Sequence, residues 1–482
     1  MRFLISVVLS LLSVMCAAQK FDSTNRIRAK EPDTKEIEWL RSVIIPLKTV
    51  DMNSSEEDLA PLKDLTMNAK IVALGEVTHG SSEIYRMKDR IIKYLVEKEG
   101  FTIFSIEGCL AEAYRINKYI KDGQGDPKEL IKGMQFWTWD TQEMLELVEW
   151  MRAYNKTAVN KITFTGFDMQ CYEESLKNII QVAAKYPAKD IDDSLRVLGT
   201  RLLAKSYHDS LLFAIDKLDR KIEKFDKGKK RTELVTDTLG SLKTKKDKIR
   251  ELIHTADSTD PIPVTYFEYV FPMLYEYAIT YIKDSSDRNW FMQNKIVLEQ
   301  YSHYVHDSIW NGDRDRWMAE NLLRIQKTNP QARIIVWAHN GHIQSKASRM
   351  GYYVSRELKQ DYLTIAFSFH EGTFSAYGKN GHSTYKAQTS YPGTFEYYFH
   401  VCGQPIFLLD LRKIKKDNPS SRWLFHESKN RFDNTKENSD LKFRVTGAVP
   451  LSEEFYPENI MSIYDMVIFI DKSTGSTSLH KW

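Results

Sequence analysis

"IVALGEVTHGSSEIYRMKDRIIKYLVEKEGFTIFSIEG", residues 71–108, indicates the architecture of the chain because two kinds of pattern alternate within it. The short apolar runs at its two ends have the composition of buried strands, whereas the stretch between them has helical periodicity. A strand, a helix and a second strand in this order favour parallel strands joined by a helical crossover. The segment therefore predicts an α/β protein.

Further apolar runs of this kind alternate with helical patterns along the chain. The predicted strands cover residues 70–74, 101–106, 161–166, 332–338, 362–368, 405–409 and 466–470. This alternation predicts a largely parallel sheet flanked by helices on both faces.

A helical region at about 176–327 separates the third and fourth predicted strands and is far longer than an ordinary crossover. We predict an insertion that forms a lobe over the C-terminal ends of the strands. Its Lys-rich middle, 218–252, is typical of a solvated helical hairpin, with a basic binding arm as the alternative. Its aromatic-rich part, 265–282, is expected to be mostly core, with a few rings lining an apolar pocket for a bulky ligand.

The composition suits a globular protein with one large domain or two ordinary ones. The chain has 482 residues, of which 42% are hydrophobic, and its 68 basic and 65 acidic residues leave a net charge of +3. This near balance provides no general argument for binding to nucleic acid, and none is predicted.

The N-terminus has the pattern of an export signal. Met1 and Arg2 precede an apolar run at 3–14, and small residues follow up to Ala18. We predict a signal peptide at 1–18, a catalytic domain at 19–482, and a periplasmic or secreted location. The apolar run is shorter than the about 20 residues that a membrane span needs. Lipidation of Cys16 is the less favoured alternative, because Met15 is larger than the residue that a lipidation site prefers.

The cysteine count argues against a disulfide framework. Cys109, Cys171 and Cys402 would remain after export, and an odd number in an exported protein leaves at least one thiol free.

Acids and histidines follow the predicted strands, at the edge where open α/β sheets place their ligands and catalytic groups. In chain order they are Glu76 and His79, Glu107, Asp168, His339 and His342, and finally His370 and Glu371. Burying such groups is unfavourable unless they pair or carry out chemistry. Together they predict a functional site.

His79 is the candidate general base. It precedes a helix whose N-cap is predicted to be one of the next serines, so the helix dipole disfavours the imidazolium form. Glu76 has the opposite effect, because its negative charge favours the imidazolium form of His79, and it can also orient the ring. A neutral imidazole held by a carboxylate can deprotonate water, as ester hydrolysis without a protein nucleophile requires.

Other chemistries have weaker support. The chain lacks the G-x-S-x-G elbow of serine hydrolases, the H-E-x-x-H motif of zinc peptidases and a Gly-rich phosphate loop. A metal cluster of His79, His339 and His342 with Glu76 or Glu107 stays an alternative, but this spacing is not a recognised metal motif. We therefore predict no metal and no cofactor.

The segment 71–108, together with "ITFTGFDMQ", "RDRWMAEN" and "IIVWAHNGHI", resembles the erythromycin esterase family in order and approximate interval. The resemblance runs from about residue 44 to 471. The GE-x-x-H segment paired with A-H-N-x-H is the specific part of it, since either motif alone is weak.

This resemblance implies hydrolysis of a macrolide lactone. His79 matches the family's water-activating histidine and Glu76 its neighbouring acid, while Glu107, His339 and His342 match other active-site positions. Lys88 falls where the drug-hydrolysing members carry arginine, which keeps the charge but loses a planar fork. We assign substrate-binding roles to Lys88, Trp137, Trp139 and Asp168; core packing is the alternative for the two tryptophans.

The sequence as a whole predicts an exported, metal-independent hydrolase that opens the lactone of an erythromycin-like antibiotic, or a similar bulky ester. Water activated by His79 would attack without a covalent intermediate. The predicted partners are water and a macrolide-like small molecule. The alternatives are an esterase with a non-antibiotic substrate and a periplasmic protein that binds iron or haem through the same histidines.

Overall fold

The computed structural model describes residues 31–188, 264–306, 312–379, 381–425 and 441–482, with a few isolated positions between 191 and 247. The predicted signal peptide, Cys16 and nearly all of the Lys-rich segment 218–252 lie outside the described residues. Among the helices within these ranges, none combines the length and apolar character needed to cross a membrane.

The strands alternate with helices in the order that the sequence predicts. They are β1 (Ile45–Pro46), β2 (Ile71–Leu74), β3 (Ile103–Cys109), β4 (Thr163–Asp168), β5 (Ile334–Trp337), β6 (Tyr362–Gly378), β7 (Gly381–Lys386), β8 (Ile406–Asp410), β9 (Lys442–Arg444), β10 (Phe455–Pro457) and β11 (Met466–Ser473).

The described α-helices are short to medium in length. They are α1 (Thr34–Val43), α2 (Leu62–Thr66), α3 (Ser82–Glu99), α4 (Leu110–Asp122), α5 (Pro127–Lys132), α6 (Gln142–Thr157), α7 (Glu173–Ala183), α8 (Val264–Tyr281), α9 (Ser285–His306), α10 (Gly312–Thr328), α11 (Asn340–Ile343), α12 (Met350–Leu358), α13 (Phe395–Val401) and α14 (Ile460–Ile463). Short 3₁₀ turns lie at Glu57–Leu59, Lys359–Asp361, Leu411–Lys413 and Pro419–Phe425.

Nine strands form one mixed, mostly parallel sheet, which confirms the predicted α/β architecture. The order is β1-β8-β11-β6-β2-β5-β3-β4, with β7 paired to β6 outside this path, and β9 and β10 form a separate ribbon. Pairs from β11 through β6, β2, β5 and β3 to β4 are parallel. β8 is antiparallel to both β11 and β1.

The central strands are buried on both faces, as parallel strands between helical layers must be. All four residues of β2 and all four of β5 are buried, and Ile71, Ala73, Ile334 and Val336 join the main core. α3 follows β2 after a loop, with Ser81 as its N-cap, which confirms that one of the serines caps this helix. α3 ends at Glu99 and is capped by Gly100, whose φ of 73° is a left-handed conformation that glycine adopts without strain.

β6 is longer than predicted. The prediction ended it at residue 368, but the strand continues to Gly378 because β11 pairs with it as far as Gly372 and β7 pairs with its last residues. His370 and Glu371 therefore lie within a strand and not after one.

The chain forms two compact units. The described part of Met169–Asn311 is one unit, and Ala18–Asp168 with Gly312–Trp482 contains the other, including the sheet. α10 belongs to the sheet-bearing unit, where its Met318 and Leu322 are core residues, although the insertion was predicted to extend to 327.

The unit within Met169–Asn311 has an aromatic core of its own. Phe271 and Tyr277 of α8 are buried with Phe291 of α9, whereas Tyr275 and Tyr281 are exposed. At least part of the aromatic-rich stretch is thus core, as the prediction expected.

The cysteines are in two states. Cys402 is free and buried, which confirms the prediction of at least one free thiol. Cys109 and Cys171 are disulfide-bonded.

Candidate active site

The order of the strands gathers the predicted acids and histidines at one edge of the sheet. β2, β5, β3 and β4 are neighbours and parallel, so their carboxyl ends lie side by side. The side chains at or just beyond these ends are Glu76, His79, Glu107, Asp168, His339 and His342. Contacts between them, described below, join them into one cluster.

Glu76 holds His79 in a defined orientation. The Nδ1 atom of His79 lies 2.7 Å from Oε1 of Glu76, which is completely buried. Because an ionised carboxylate only accepts hydrogen bonds, Nδ1 of His79 must carry the proton. The other ring nitrogen, Nε2, is then the basic one in the neutral ring, and the side chain is 13% exposed, so water can reach the ring.

The second oxygen of Glu76 is occupied by two donors. Nζ of Lys88 lies 2.8 Å from Oε2, and Nε1 of Trp337 lies 2.6 Å from the same atom. The Lys88 ammonium also lies 4.3 Å from the centre of the Trp337 ring, over its face. Glu76 thus has partners on both oxygens and cannot rotate away from His79 without losing them.

Burial and charge act against each other in this group. Burial raises the pKa of the Glu76 carboxyl, but the Lys88 charge and the hydrogen bond from His79 outweigh it and leave the pKa below its usual value. Burial lowers the pKa of Lys88 to about 8, although Glu76 opposes the shift. Lys88 was predicted to bind substrate, yet its side chain is fully buried and its contacts here are with Glu76 and Trp337.

Glu107 and His342 form a second group with α10. Nδ1 of His342 lies 2.8 Å from Oδ1 of Asp315, and Nε2 lies 3.2 Å from Oε1 of Glu107. The Arg314 guanidinium donates to the same Glu107 oxygen at 2.9 Å and to Oδ2 of Asp168 at 2.8 Å. Asp168, predicted to bind substrate, is completely buried and paired with this arginine.

This second group keeps His342 charged. Burial lowers the pKa of His342, but Asp315 and Glu107 outweigh it and raise the pKa to about 9. Burial raises the pKa of Glu107, but His342 and then Arg314 hold it well below its usual range. With both of its nitrogens donating, His342 is an imidazolium and does not accept the hydrogen bond that Nη1 of Arg314 could offer at 3.2 Å.

His339 is a neutral histidine between these groups. Its Nδ1 accepts from the Gly341 amide at 3.0 Å, and its Nε2 donates to the Val77 carbonyl at 3.2 Å. Burial, with further contributions from His79 and His342, lowers its pKa to about 4. The His339 ring centre lies 5.1 Å from that of His79, and the His339 amide donates to Glu107 at 2.9 Å.

Aromatic residues surround His79. Trp139 is buried, packs edge-to-face with His79 at 6.3 Å between ring centres, and donates from Nε1 to the Glu107 carbonyl at 3.1 Å. Trp137 instead lies against His382, at 4.7 Å between ring centres. The hydroxyl of Tyr85 lies 2.7 Å from the His79 carbonyl and 2.9 Å from that of Thr138.

His370 and Glu371 contribute to other contacts. The ring of His370 is stacked on His400 at 3.7 Å, and its Nδ1 lies 2.5 Å from the Ser390 hydroxyl. Glu371 is 3.8 Å from the Lys472 ammonium. Both residues lie within β6, beyond the level at which β2 ends, and this placement explains why their contacts differ from those of the Glu76–His79 group.

Sequence reasoning missed the partners that define the charges in the site. Arg314 and Asp315 lie in the quoted segment "RDRWMAEN", and Trp337 in "IIVWAHNGHI", but neither segment suggested a role for them. Adjacent opposite charges near the start of a helix were the available signal for Arg314 and Asp315, although the prediction placed both residues inside the insertion. For Trp337, at the buried end of a strand, there was none.

The donor set offers little to a metal ion. Glu76, Glu107 and Asp168 are paired with Lys88 or Arg314, and Asp315 with His342. Among the described residues, the site's histidines do not form a set of three possible ligand atoms within 4.8 Å of one another. The arrangement is that of a hydrogen-bonded base beside a charged pair.

Glu107 at the end of β3 and the histidines after β5 lie within the range of one family model. The erythromycin esterase model matches residues 96–473, most of the chain. The chain belongs to the erythromycin esterase family. Among curated relatives, YbfO of Bacillus subtilis (strain 168), which carries a provisional name as a hydrolase, is 27% identical over 88% of this chain and 91% of its own length.

Another curated protein and two solved structures are also similar to this chain. Erythromycin esterase type II of Escherichia coli is 23% identical over 70% of this chain and 78% of that protein. A solved structure titled as a succinoglycan biosynthesis protein has a TM-score of 0.67 and 23% identity, covering 92% of this chain and 97% of that one. The mutant erythromycin esterase EreC, in its open conformation, has a TM-score of 0.60 and 16% identity, covering 90% and 99%.

These structural similarities show a shared fold. As a member of the erythromycin esterase family, the protein is a hydrolase of the esterase type, with water and a small molecule as its substrates.

Proposed function

We propose that the protein opens the lactone of a macrolide, or cleaves a similarly bulky ester, with water activated by His79. The observation that carries this proposal is the Glu76–His79 pair, in which a buried carboxylate accepts from Nδ1 at 2.7 Å and leaves Nε2 to accept a proton. This geometry suits a general base. The erythromycin esterase named among the relatives supports the choice of substrate class.

In this mechanism Nε2 of His79 takes a proton from water as the oxygen attacks the ester carbonyl. The proton remains on the imidazolium, which the Glu76 carboxylate stabilises, and Lys88 with Trp337 keeps that carboxylate in place. His79 then returns the proton to the leaving alcohol, and the carbonyl is re-formed as a carboxylic acid. No covalent intermediate is needed, because water is the nucleophile throughout.

The charged group around His342 would act on the oxygen of the ester. His342 and Arg314 are 15% and 12% exposed, and both are hydrogen-bond donors next to Glu107. The positive charges of His342 and Arg314 can stabilise the developing oxyanion electrostatically, which is most effective where water is excluded. This separation assigns base chemistry to His79 and stabilisation to His342.

The same cations count against the iron- or haem-binding alternative. The carboxylates near the histidines are neutralised by Lys88 and Arg314, so a bound cation would have to displace them. An esterase with a non-antibiotic substrate uses the same groups, and only an assay separates it from a macrolide esterase.

The predicted export also stays part of this proposal. The disulfide-bonded state of Cys109 and Cys171 supports it, since disulfides persist in oxidising compartments. Recovery of the mature protein from the periplasm or the medium, with its N-terminus near residue 19, is the expected result. Full-length protein in the cytoplasm would contradict it.

The decisive experiment incubates the purified protein with a panel of macrolides and p-nitrophenyl esters in water enriched in heavy oxygen. Mass spectrometry should show the addition of one labelled water to a macrolide, with the label in the new carboxylate. His79→Ala protein is the matched control. Hydrolysis of the simple esters alone would favour a different bulky ester, and no hydrolysis at all would refute the proposal.

A further inference from the structure

Residues 473–482 continue from β11 and run beside two loops of the site; we refer to them as the strap. One loop, 75–81, carries Glu76 and His79, and the other, 136–141, carries Trp139. We propose that the strap positions His79 against Trp139, and that Asp140 is the positioning residue that anchors it. This inference rests on the proposed ester hydrolysis, because it concerns the geometry of the general base.

The strap is hydrogen-bonded to the loop of His79. The Ser476 amide donates to the Gly80 carbonyl at 2.9 Å, and the Ser82 amide donates to the Thr474 carbonyl at 2.9 Å. The Gly80 carbonyl also accepts from the Ser375 amide at 2.9 Å. A Cβ atom at Gly80 would lie 1.9 Å from the Ser375 carbonyl oxygen, so this loop is packed too closely for any side chain there. The loop is therefore held between β6 and the strap.

The strap binds the second loop in the same manner. The Gln142 amide donates to the Thr477 carbonyl at 2.8 Å, and the Leu479 amide donates to the Asp140 carbonyl at 3.0 Å. An isolated antiparallel bridge joins Thr141 to Ser478. One segment of chain thus supplies backbone partners to both loops.

Asp140 fixes the end of the strap. Its carboxylate is completely buried, Nδ1 of His480 lies 2.8 Å from Oδ1, and Nε1 of Trp482 lies 2.6 Å from Oδ2. A buried carboxylate without donors is costly, so these two contacts hold the strap in one register. Lys481 lies between the two donors in sequence, is exposed, and provides a matched control.

The two loops meet at Tyr85, and this contact connects the strap to the base. The Tyr85 hydroxyl lies within hydrogen-bonding distance of carbonyls in both loops, those of His79 and Thr138. A shift of the second loop therefore moves the backbone of His79. A displacement of the order of 1 Å can lower the rate by about 10²-fold, because the base no longer reaches the attacking water.

The test compares Asp140→Asn and Trp482→Phe with Lys481→Ala in the full-length protein. Asparagine keeps the shape of the side chain but offers one acceptor oxygen in place of two, and Trp482→Phe removes the indole N–H donor and keeps a smaller aromatic ring. We expect kcat for the ester that the wild type cleaves fastest to fall about 10-fold, with KM within about two-fold, because a misplaced base affects the transition state and not substrate binding. Lys481→Ala should match the wild type.

Hydrogen exchange supplies a readout that does not depend on activity. Peptides over 80–86 and 140–146 contain the Ser82 and Gln142 amides, and both should exchange faster in Asp140→Asn and Trp482→Phe. Unchanged exchange would overturn the proposal even if the wild type cleaved no ester, which separates its failure from that of the proposed function. Loss of activity that only matches the unfolded fraction, or kcat equal to that of Lys481→Ala, would overturn it as well.

Discussion

His79 and His342 lie in the same site but have opposite hydrogen-bonding environments. His79 has one carboxylate on Nδ1, and that carboxylate is itself bound by Lys88 and Trp337. His342 has an acid at each nitrogen, Asp315 and Glu107, which raise its pKa to about 9. In the proposed mechanism this difference would let one site hold a base and a cation of the same residue type, because the number of acids around each ring differs.

The largest test removes the base. His79→Ala should lower kcat/KM by about 10²–10⁴-fold, the usual contribution of a positioned general base. The fold should persist, because His79 lies in a loop and is partly exposed. Steady-state kinetics and circular dichroism on the same sample check both points. Near-wild-type turnover by folded protein would remove the distinction between the two histidines.

A smaller effect is expected when His342 keeps only one acid. Asp315→Asn retains an acceptor for the Met350 amide, 2.8 Å away, but removes the charge beside Nδ1 of His342. The pKa of His342 should fall from about 9 toward its ordinary value. As pH rises, the variant should therefore lose activity that needs the imidazolium at a lower pH than the wild type does. At neutral pH its kcat/KM should fall about 10-fold, which corresponds to the loss of a hydrogen bond to a charged group. An unchanged pH–rate profile would show that His342 is not needed as a cation.

The third test concerns the cation behind Glu76. Burial lowers the pKa of Lys88 to about 8, so its charge is present below that pH and lost above it. Activity should accordingly decline as pH rises through about 8. Lys88→Arg retains a cation throughout this range, because arginine does not deprotonate in proteins. Its pH–rate profile should keep only the higher limb, near pH 9, that His342 produces. If both proteins lost activity as pH rises through about 8, that loss would belong to a group other than Lys88.

The smallest expected effect is that of chelation. Activity should survive exhaustive EDTA treatment, since Nε2 of His79 must stay free to accept a proton, and Lys88 and Arg314 already neutralise the carboxylates. The assay is kcat/KM before and after dialysis. Loss of activity that one divalent metal restores would recast His79, His339 and His342 as ligands and end the comparison between base and cation.

The main strands could be predicted because their signals are local. Each of the seven predicted runs overlaps a strand of the sheet, and runs such as β2 and β5 are apolar throughout, as burial on both faces requires. The strands that were not predicted lack this signal. β1 has two residues, and β7, "GHSTYK", is polar and partly exposed, so each is defined by its partner strand and not by its composition.

The site was predictable to the extent that it is local. Glu76 and His79 are three residues apart, so one loop is enough to bring them together, and Ser81 caps the helix that follows. The acids that charge His342 are distant from it in sequence. Asp315 is 27 residues away. Glu107 is farther still, because it is 232 residues from His339, whose amide donates to it, and His342 follows His339 in the chain. Sequence spacing carries no information about such pairs.

Local sequence is therefore sufficient for the apolar strands, for the acids and histidines that follow them, and for the Glu76–His79 pair, because neighbouring residues specify these through periodicity, capping and short-range contacts. Long-range packing is needed for the roles. The sheet inserts β5 between β2 and β3, which places His339 near both Glu76 and Glu107 and His342 beside Glu107. It also buries Lys88 against Trp337. Charge states in a buried cluster depend on which distant groups surround each atom, and strand order, which backbone hydrogen bonds fix, supplies those neighbours.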